Sequence, residues 1–222
     1  PSKITAADLS AKLINYKHKS PKVPLIVAIG GPDECGHVFF VSELTEALED
    51  QELLVSGLDL SQVLGTEFQN RYISGKKSKL TLWRSEEIQD WIVEEVIRPY
   101  SKGQQVYFEK LPEIIHKFEI TTIPFFIDPE MILVVWGTTV FLPEMENLID
   151  VNVLLDLSEK TAAARMFSLD ERENFDQSFV ETYLKKEGKY YSDYLDQFKV
   201  HDRIDFLIDF DNFNAFRMKK TS

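Results

Sequence analysis

The chain has 222 residues, of which 44% are hydrophobic and 28% charged. These proportions are typical of globular domains and exclude wholesale disorder. The 37 acidic and 25 basic residues give a net charge of −12, so we expect neither nucleic acid nor an anionic membrane as a partner. The single cysteine, Cys35, excludes an internal disulfide and a cysteine-rich zinc site. The longest apolar run, 131–136, is far shorter than a membrane span, and residues 1–8 hold no signal-peptide core. These features predict a soluble, cytoplasmic protein.

Helical and strand patterns alternate along the chain. Apolar spacing predicts helices at 6–16, from 37 to about 50, from about 88 to a stop near Pro99, from Ser158 through 165, and at about 178–197. Short apolar runs predict strands at 25–29, 53–58, 105–108, 123–127, 131–136, 151–155 and 203–210. The aromatic residues between 183 and 198 are interpreted as a helix packing face, with a nucleoside pocket as the alternative.

This alternation predicts a three-layer α/β fold with a mostly parallel central sheet. In such sheets the chemistry lies beyond the carboxyl ends of the strands. The loops at 30–37, 58–62, 136–140 and 156–158 are therefore the places where a site is expected.

The first of these loops has the spacing of a phosphate-binding loop. The segment from Gly31 to Val38 reads Gly-Pro-Asp-Glu-Cys-Gly-His-Val, and the phosphate-loop pattern is G-x-x-x-x-G-K-[ST]. Both glycines, Gly31 and Gly36, are present. His37 stands in place of the lysine that reaches the phosphates, and Val38 replaces the hydroxyl residue that binds Mg²⁺.

The loop also carries Asp33 and Glu34. Each carboxylate within a few ångströms of a triphosphate would repel it by roughly 3–4 kcal/mol at an effective dielectric constant of 20. Three interpretations stay open: a nucleotide site, a strand-to-helix turn that keeps its glycines only for backbone geometry, and a metal site. The third would use Asp33, Glu34, Cys35 and His37, but no second ligand cluster accompanies them, and we predict no metal site.

The order of these elements resembles the uridine kinase and phosphoribulokinase family of P-loop kinases, from about residue 24 to 209. The likeness rests on six segments, which are 25–31, Asp59 after the second strand, 132–137, 148–156, 164–170 and 205–209. The resemblance implies a single P-loop kinase-like domain over 1–222, with a helix and linker at 1–22 and a lid-like helical region at 160–200. It also implies phosphorylation of a small-molecule hydroxyl by ATP and Mg²⁺, and a homodimer is compatible with it.

Several residues can be compared with the family's motifs. Asp59 matches the aspartate that acts as base or substrate anchor, although it could instead cap a turn. Trp136 replaces an acidic residue and is interpreted as core or pocket-wall packing. In the lid, Arg165 matches one arginine, Leu169 replaces the phosphate-clamping arginine, and Arg172 is the candidate substitute.

The losses at the ATP site favour a degenerate kinase with weak or no phosphotransfer and a ligand-binding or regulatory role. One alternative is an active but divergent kinase that uses ATP and Mg²⁺, with the missing positive charge supplied by Arg165, Arg172 or the lysines at 76–79. The other alternative is a pure protein-interaction module whose cleft is filled, for example by Trp136. A small-molecule ligand fits the first two hypotheses, and no cofactor is certain.

Overall fold

The computed structural model describes residues 2–32, 36–60, 91–108, 125–141, 143–158, 160–161 and 177–211. The strands are β1 (Ser2–Lys3), β2 (Leu25–Gly30), β3 (Val55–Asp59), β4 (Val106–Phe108), β5 (Phe125–Ile127), β6 (Ile132–Trp136), β7 (Val151–Asp156) and β8 (Phe206–Asp209). The helices are α1 (Ala6–Lys19), α2 (His37–Glu49), α3 (Arg98–Ser101), α4 (Gln177–Gln197) and α5 (Val200–Arg203). A π-helical segment, Ile92–Ile97, leads into α3, and a 3₁₀ turn spans Pro143–Met145.

Six strands form the central sheet in the order β1-β8-β7-β2-β6-β3, and all of their pairings are parallel. The predicted fold class is therefore confirmed. Strand β2 lies between β6 and β7. On one side of β2 the strand order continues from β6 to β3, and on the other side it continues from β7 to β8 and β1. Such a switch point opens a crevice beyond the carboxyl ends of the strands, which is where α/β proteins bind ligands. The loop that follows β2 lies at this crevice.

The buried strands divide the core into two clusters, one on each face of the sheet. Alternate residues of β2, Leu25, Val27 and Ile29, pack with α1 and α2 on one face. Ile26 and Ala28 point to the other face, where they join the π-helical segment, α3, α4 and α5. This division explains why β2 is continuously apolar: both of its faces are covered.

Helix α1 begins at a capping box formed by Thr5 and Asp8. The Thr5 Oγ1 atom accepts from the Asp8 backbone N–H at 3.1 Å, and Asp8 Oδ2 accepts from the Thr5 N–H at 3.0 Å. The Asp8 carboxylate accepts from the Thr5 N–H and also from the Thr5 hydroxyl at 2.7 Å, and these two bonds hold the pKa of Asp8 below its usual value. The backbone N–H groups of Thr5 and Asp8, at the start of the helix, thus each have a side-chain acceptor.

The helix ends at Ser101, two residues after Pro99, so the predicted end near Pro99 is confirmed to within two residues. The helix continues to Ser101 because the preceding turns are π-helical, with the Arg98 N–H donating to the Val93 carbonyl five residues back. The wider turn removes the need for a donor at Pro99. Strands β4 and β5 differ from expectation, since they pair antiparallel in a separate two-stranded sheet.

The aromatic series of α4 is a packing face where its side chains are described. Tyr194 is fully buried, and Tyr191 and Phe198 pack against the same core cluster. The Tyr194 ring lies 6.0 Å from that of Tyr191 and 5.4 Å from that of Phe198, measured between centroids. The packing interpretation is therefore confirmed for these three residues. The side chains of Tyr183 and Tyr190 lie outside the described part.

A buried tyrosine, Tyr100, connects neighbouring strands at the amino edge of the sheet by hydrogen bonds. The Tyr100 hydroxyl donates to the Met131 carbonyl at 2.7 Å and accepts from the Leu25 N–H at 3.1 Å. The side chain is 0% exposed, and burial raises the pKa of Tyr100 to about 12.

This pKa predicts a loss of stability at alkaline pH. The unfolded tyrosine ionises near pH 10, whereas the folded one holds its proton to about pH 12. The folded state therefore binds more protons over this window, and the free energy of unfolding falls as the pH rises through it. In urea titrations the Tyr100→Phe variant should be less stable than wild type at neutral pH and should decline less between pH 10 and 12. Equal alkaline declines would contradict the assignment.

Candidate functional site

The carboxyl ends of β2, β3 and β6 meet at one edge of the sheet. Trp136, the last residue of β6, is in register with Ile29 of β2 on one side and with Asp59 of β3 on the other. Asp59 is only 8% exposed. The sheet thus brings together the glycine loop and two of the predicted site residues, Asp59 and Trp136.

The two glycines of the loop lie at its two ends, next to β2 and α2. Gly31 is buried at the end of β2. Gly36 caps α2 with φ = 93°, a left-handed conformation that favours glycine, and it provides no side-chain cap. The first turn of α2 lies at the positive end of the helix dipole, a position that favours an anion such as phosphate.

The side chains at the start of α2 do not supply the usual phosphate chemistry. His37 is half-buried, Val38 is 62% exposed, and Phe39 is 51% exposed. An apolar branched side chain therefore stands in the open where Mg²⁺ would need a hydroxyl ligand. The His37 side chain is shorter than that of the lysine it replaces.

Two aromatic rings bracket the glycine loop from opposite faces of the sheet. The Phe141 ring lies against Gly30, where a Cβ atom would be 2.6 Å from Cζ. At the other end of the loop, a Cβ on Gly36 would be 3.7 Å from the Phe210 ring. Phe210 also makes an edge contact with Phe40 of α2, with centroids 5.7 Å apart. Buried rings thus pack against the backbone at both ends of the loop.

Trp136 lies across the neighbouring strand β3. A Cβ on Gly57 would be 2.7–2.8 Å from the indole Cζ3 and Cη2 atoms, so the ring covers the glycine closely. The side chain is half-buried and packs with the α1–α2 cluster. Its Nε1–H is buried and has no hydrogen-bond acceptor in the described part of the chain. Trp136 therefore packs against the core, and a role in lining a ligand pocket stays a prediction.

The ends of β7 and β8 add negative charge to the same edge. Asp156 and Asp209 are paired in register, and both are exposed. Asp211 is already engaged, since its Oδ1 atom accepts from the Ser158 N–H at 2.8 Å. Ser158 in turn accepts from the Thr161 N–H at 3.3 Å, as expected for a helix cap. Within the described residues, no group of three or more ligand-type side chains could hold a metal ion.

Other predicted residues lie outside the described residues. They are Asp33, Glu34 and Cys35 of the loop, the lysines at 76–79, and Arg165, Leu169 and Arg172 of the lid-like segment. Phe141 and Phe210, by contrast, are site residues that the sequence analysis missed. The sequence signal for the Phe141 contact was Gly30, which precedes the motif glycine Gly31. A glycine at the end of a strand often marks a place where another group packs closely on the backbone.

Solved structures resemble this chain across nearly all of its length. A candidate fructose transport system kinase from Silicibacter sp. TM1040 covers 92% of this chain and 98% of its own, with 14% identity and a TM-score of 0.65. A possible uridine kinase from Bacillus stearothermophilus covers 90% and 98%, with 15% identity and a TM-score of 0.55. The chain has the P-loop kinase fold.

No family model and no curated protein matches the sequence. The structural likeness therefore concerns the fold alone.

In the described part of the chain, no helix has the length and apolar character needed to cross a membrane.

Proposed function

We propose that this protein is a uridine kinase-like P-loop protein with a degenerate ATP site, which has weak or no phosphotransferase activity and binds a small molecule or acts as a regulatory partner. The observation that carries the proposal is the start of α2. His37 and Val38 occupy the positions of the lysine and the Mg²⁺-binding hydroxyl, and Val38 is 62% exposed without any polar atom to offer.

The chemistry of phosphoryl transfer gives this observation its weight. Transfer from Mg-ATP depends on positioning the phosphates and on neutralising the charge that develops on them. The described ends of β3, β7 and β8 place three carboxylates at this edge of the sheet, those of Asp59, Asp156 and Asp209. Without a metal ion or nearby cations, carboxylates around a triphosphate oppose its binding.

The fold, in contrast, keeps the place where α/β proteins bind ligands. The switch point beside β2 is present, and crevices at such points are typical ligand sites. Trp136 is half-buried beside it, whereas the rings of Phe141 and Phe210 are buried and pack against the two ends of the glycine loop. A small-molecule ligand at this crevice is therefore the role proposed for the retained fold.

A second candidate, an active divergent kinase, is favoured by one observation. Asp59 ends β3 at the carboxyl edge, is nearly buried, and lies beside β6, where a general base or a substrate anchor could act. In that case Arg165, Arg172 or the lysines at 76–79 would have to supply the positive charge.

A turnover assay separates the two candidates. ADP release from Mg-ATP is measured with a panel of nucleosides and sugars as acceptors, for wild type and for Asp59→Asn. The degenerate-site proposal predicts background rates for both proteins. The matched control is Asp156→Asn, which removes a carboxylate from the same edge at the end of β7. Turnover that is lost in Asp59→Asn but kept in Asp156→Asn would establish an active kinase and overturn the proposal.

A further inference from the structure

Both polar backbone groups of Phe141, the N–H and the carbonyl, are hydrogen-bonded to side chains. Its N–H donates to the Tyr194 hydroxyl at 2.7 Å, and its carbonyl accepts from Arg203 Nη2 at 2.7 Å. Tyr194 belongs to α4 and Arg203 to α5, so both partners come from the C-terminal helical part of the chain. Arg203 is further oriented by Glu146, 3.5 Å away.

The Phe141 ring is in turn wedged against the glycine loop. Phe141 is 3% exposed and lies against Gly30, the last residue of β2, so closely that a side chain at Gly30 could not fit. The neighbouring Gly137 N–H donates to the Ile29 carbonyl at 3.2 Å. The segment after β6 therefore contacts the end of β2, where the glycine loop begins. The contacts are made by the Gly137 backbone and by the Phe141 ring.

We propose that Tyr194 and Arg203 are positioning residues which hold the Phe141 ring against Gly30, and that α4 and α5 thereby set the position of the glycine loop. This inference goes beyond the proposed function, because it holds whether or not the loop binds ATP. A ligand or partner that displaces α4 would then reshape the loop through Phe141.

The buried environment makes this link a stiff one. Tyr194 is 0% exposed, and burial raises the pKa of its hydroxyl far above the usual value, so it stays a neutral partner at any ordinary pH. Because a closely packed core does not deform continuously, a shift of α4 would be passed through Phe141 to Gly30.

The sheet provides a matched control at its opposite edge. Tyr100 is also 0% exposed, and its hydroxyl also bonds to backbone groups, but those groups belong to Leu25 and Met131 at the amino ends of the strands. Tyr100→Phe and Tyr194→Phe therefore remove the same atom from equally buried sites, and only one of those sites is linked to the glycine loop.

Amide hydrogen exchange detected by NMR tests the proposal in the full-length protein. The reporters near the loop are the Phe40 N–H, bonded to the Gly36 carbonyl, and the Gly137 N–H. The reference amides at the amino edge are those of Ile132 and Asp150, which donate to Leu54 and Ile26.

Tyr194→Phe should raise exchange at the Phe40 and Gly137 amides at least tenfold more than at the reference amides. Tyr100→Phe should not do so. A merely structural role would lower global stability and raise all four rates together. Should Tyr194→Phe fail to fold, Arg203→Gln is measured in its place. Uniform increases, or no increase at the loop reporters, would overturn the proposal.

Discussion

Replacing Gly30 with alanine is expected to lower the free energy of unfolding by about 3 kcal/mol, at the upper end of the range for overpacked cores. The added Cβ atom would lie 2.6 Å from Cζ of Phe141 and 3.0 Å from its Cδ2. The ring has no room to retreat, because Phe141 is 3% exposed and its backbone is bonded to Tyr194 and Arg203. Denaturant titration of wild type and the Gly30→Ala variant measures the change.

Two further variants make this prediction specific. In a Phe141→Leu background the same Gly30→Ala change should cost less by about 1 kcal/mol or more, because the smaller side chain makes room for the methyl group. Gly103→Ala serves as the control: Gly103 has φ = 76° and nothing within 4 Å of a Cβ atom, so its cost is conformational and about 1 kcal/mol. Additive effects of Gly30→Ala and Phe141→Leu would show that the ring does not contact Gly30.

Replacing Lys17 with alanine is expected to cost about 3 kcal/mol or more. The side chain is 1% exposed, and its Nζ atom donates to three carbonyls, those of Pro21 at 3.3 Å, Val23 at 2.8 Å and Pro129 at 3.3 Å. Truncation leaves these acceptors without a donor and opens a cavity at the amino edge of the sheet. Burial also lowers the pKa of Lys17, partly offset by the carboxylates of Glu130 and Asp128.

The control for Lys17 lies two residues further along the same helix. Lys19 is exposed in the last turn of α1, so Lys19→Ala should change the free energy of unfolding by less than about 0.5 kcal/mol. Urea titrations of both variants provide the comparison. If Lys17→Ala were no more destabilising than Lys19→Ala, the three hydrogen bonds would contribute nothing to stability.

Local sequence patterns were sufficient to predict the central fold. Strands β2 and β6 are continuously apolar because they are covered on both faces, and that pattern is visible without a structure. The capping box at Thr5 and the glycine at position 36 are equally local signals, because a cap or a left-handed turn depends on a few adjacent residues.

Features that depend on distant pairing could not be predicted in this way. The two-residue strand β1 is formed only by its register with β8, and β4 pairs with β5 rather than with the central sheet. The contact of Phe141 with Gly30 likewise arises from tertiary packing. The passage of the helix through Pro99 requires a π-helical turn, which no single residue type marks.

The predicted site residues differ in how far the structure describes them. Asp59, Trp136, His37 and Val38 are brought to the carboxyl edge by strand ends and by the start of α2. Their roles in binding or catalysis remain predictions. Arg165 and Arg172 lie outside the described residues, and their contribution to the charge of the site stays a prediction.

Isothermal titration calorimetry with Mg-ATP tests the central claim most directly. It compares wild type with the double variant His37→Lys, Val38→Thr, which restores the lysine and the hydroxyl at the start of α2. The degenerate-site account predicts no saturable heat for wild type and measurable binding for the double variant, because charged hydrogen bonds to phosphate contribute about 1.5–3 kcal/mol each. Binding of Mg-ATP to wild type with micromolar affinity would contradict it.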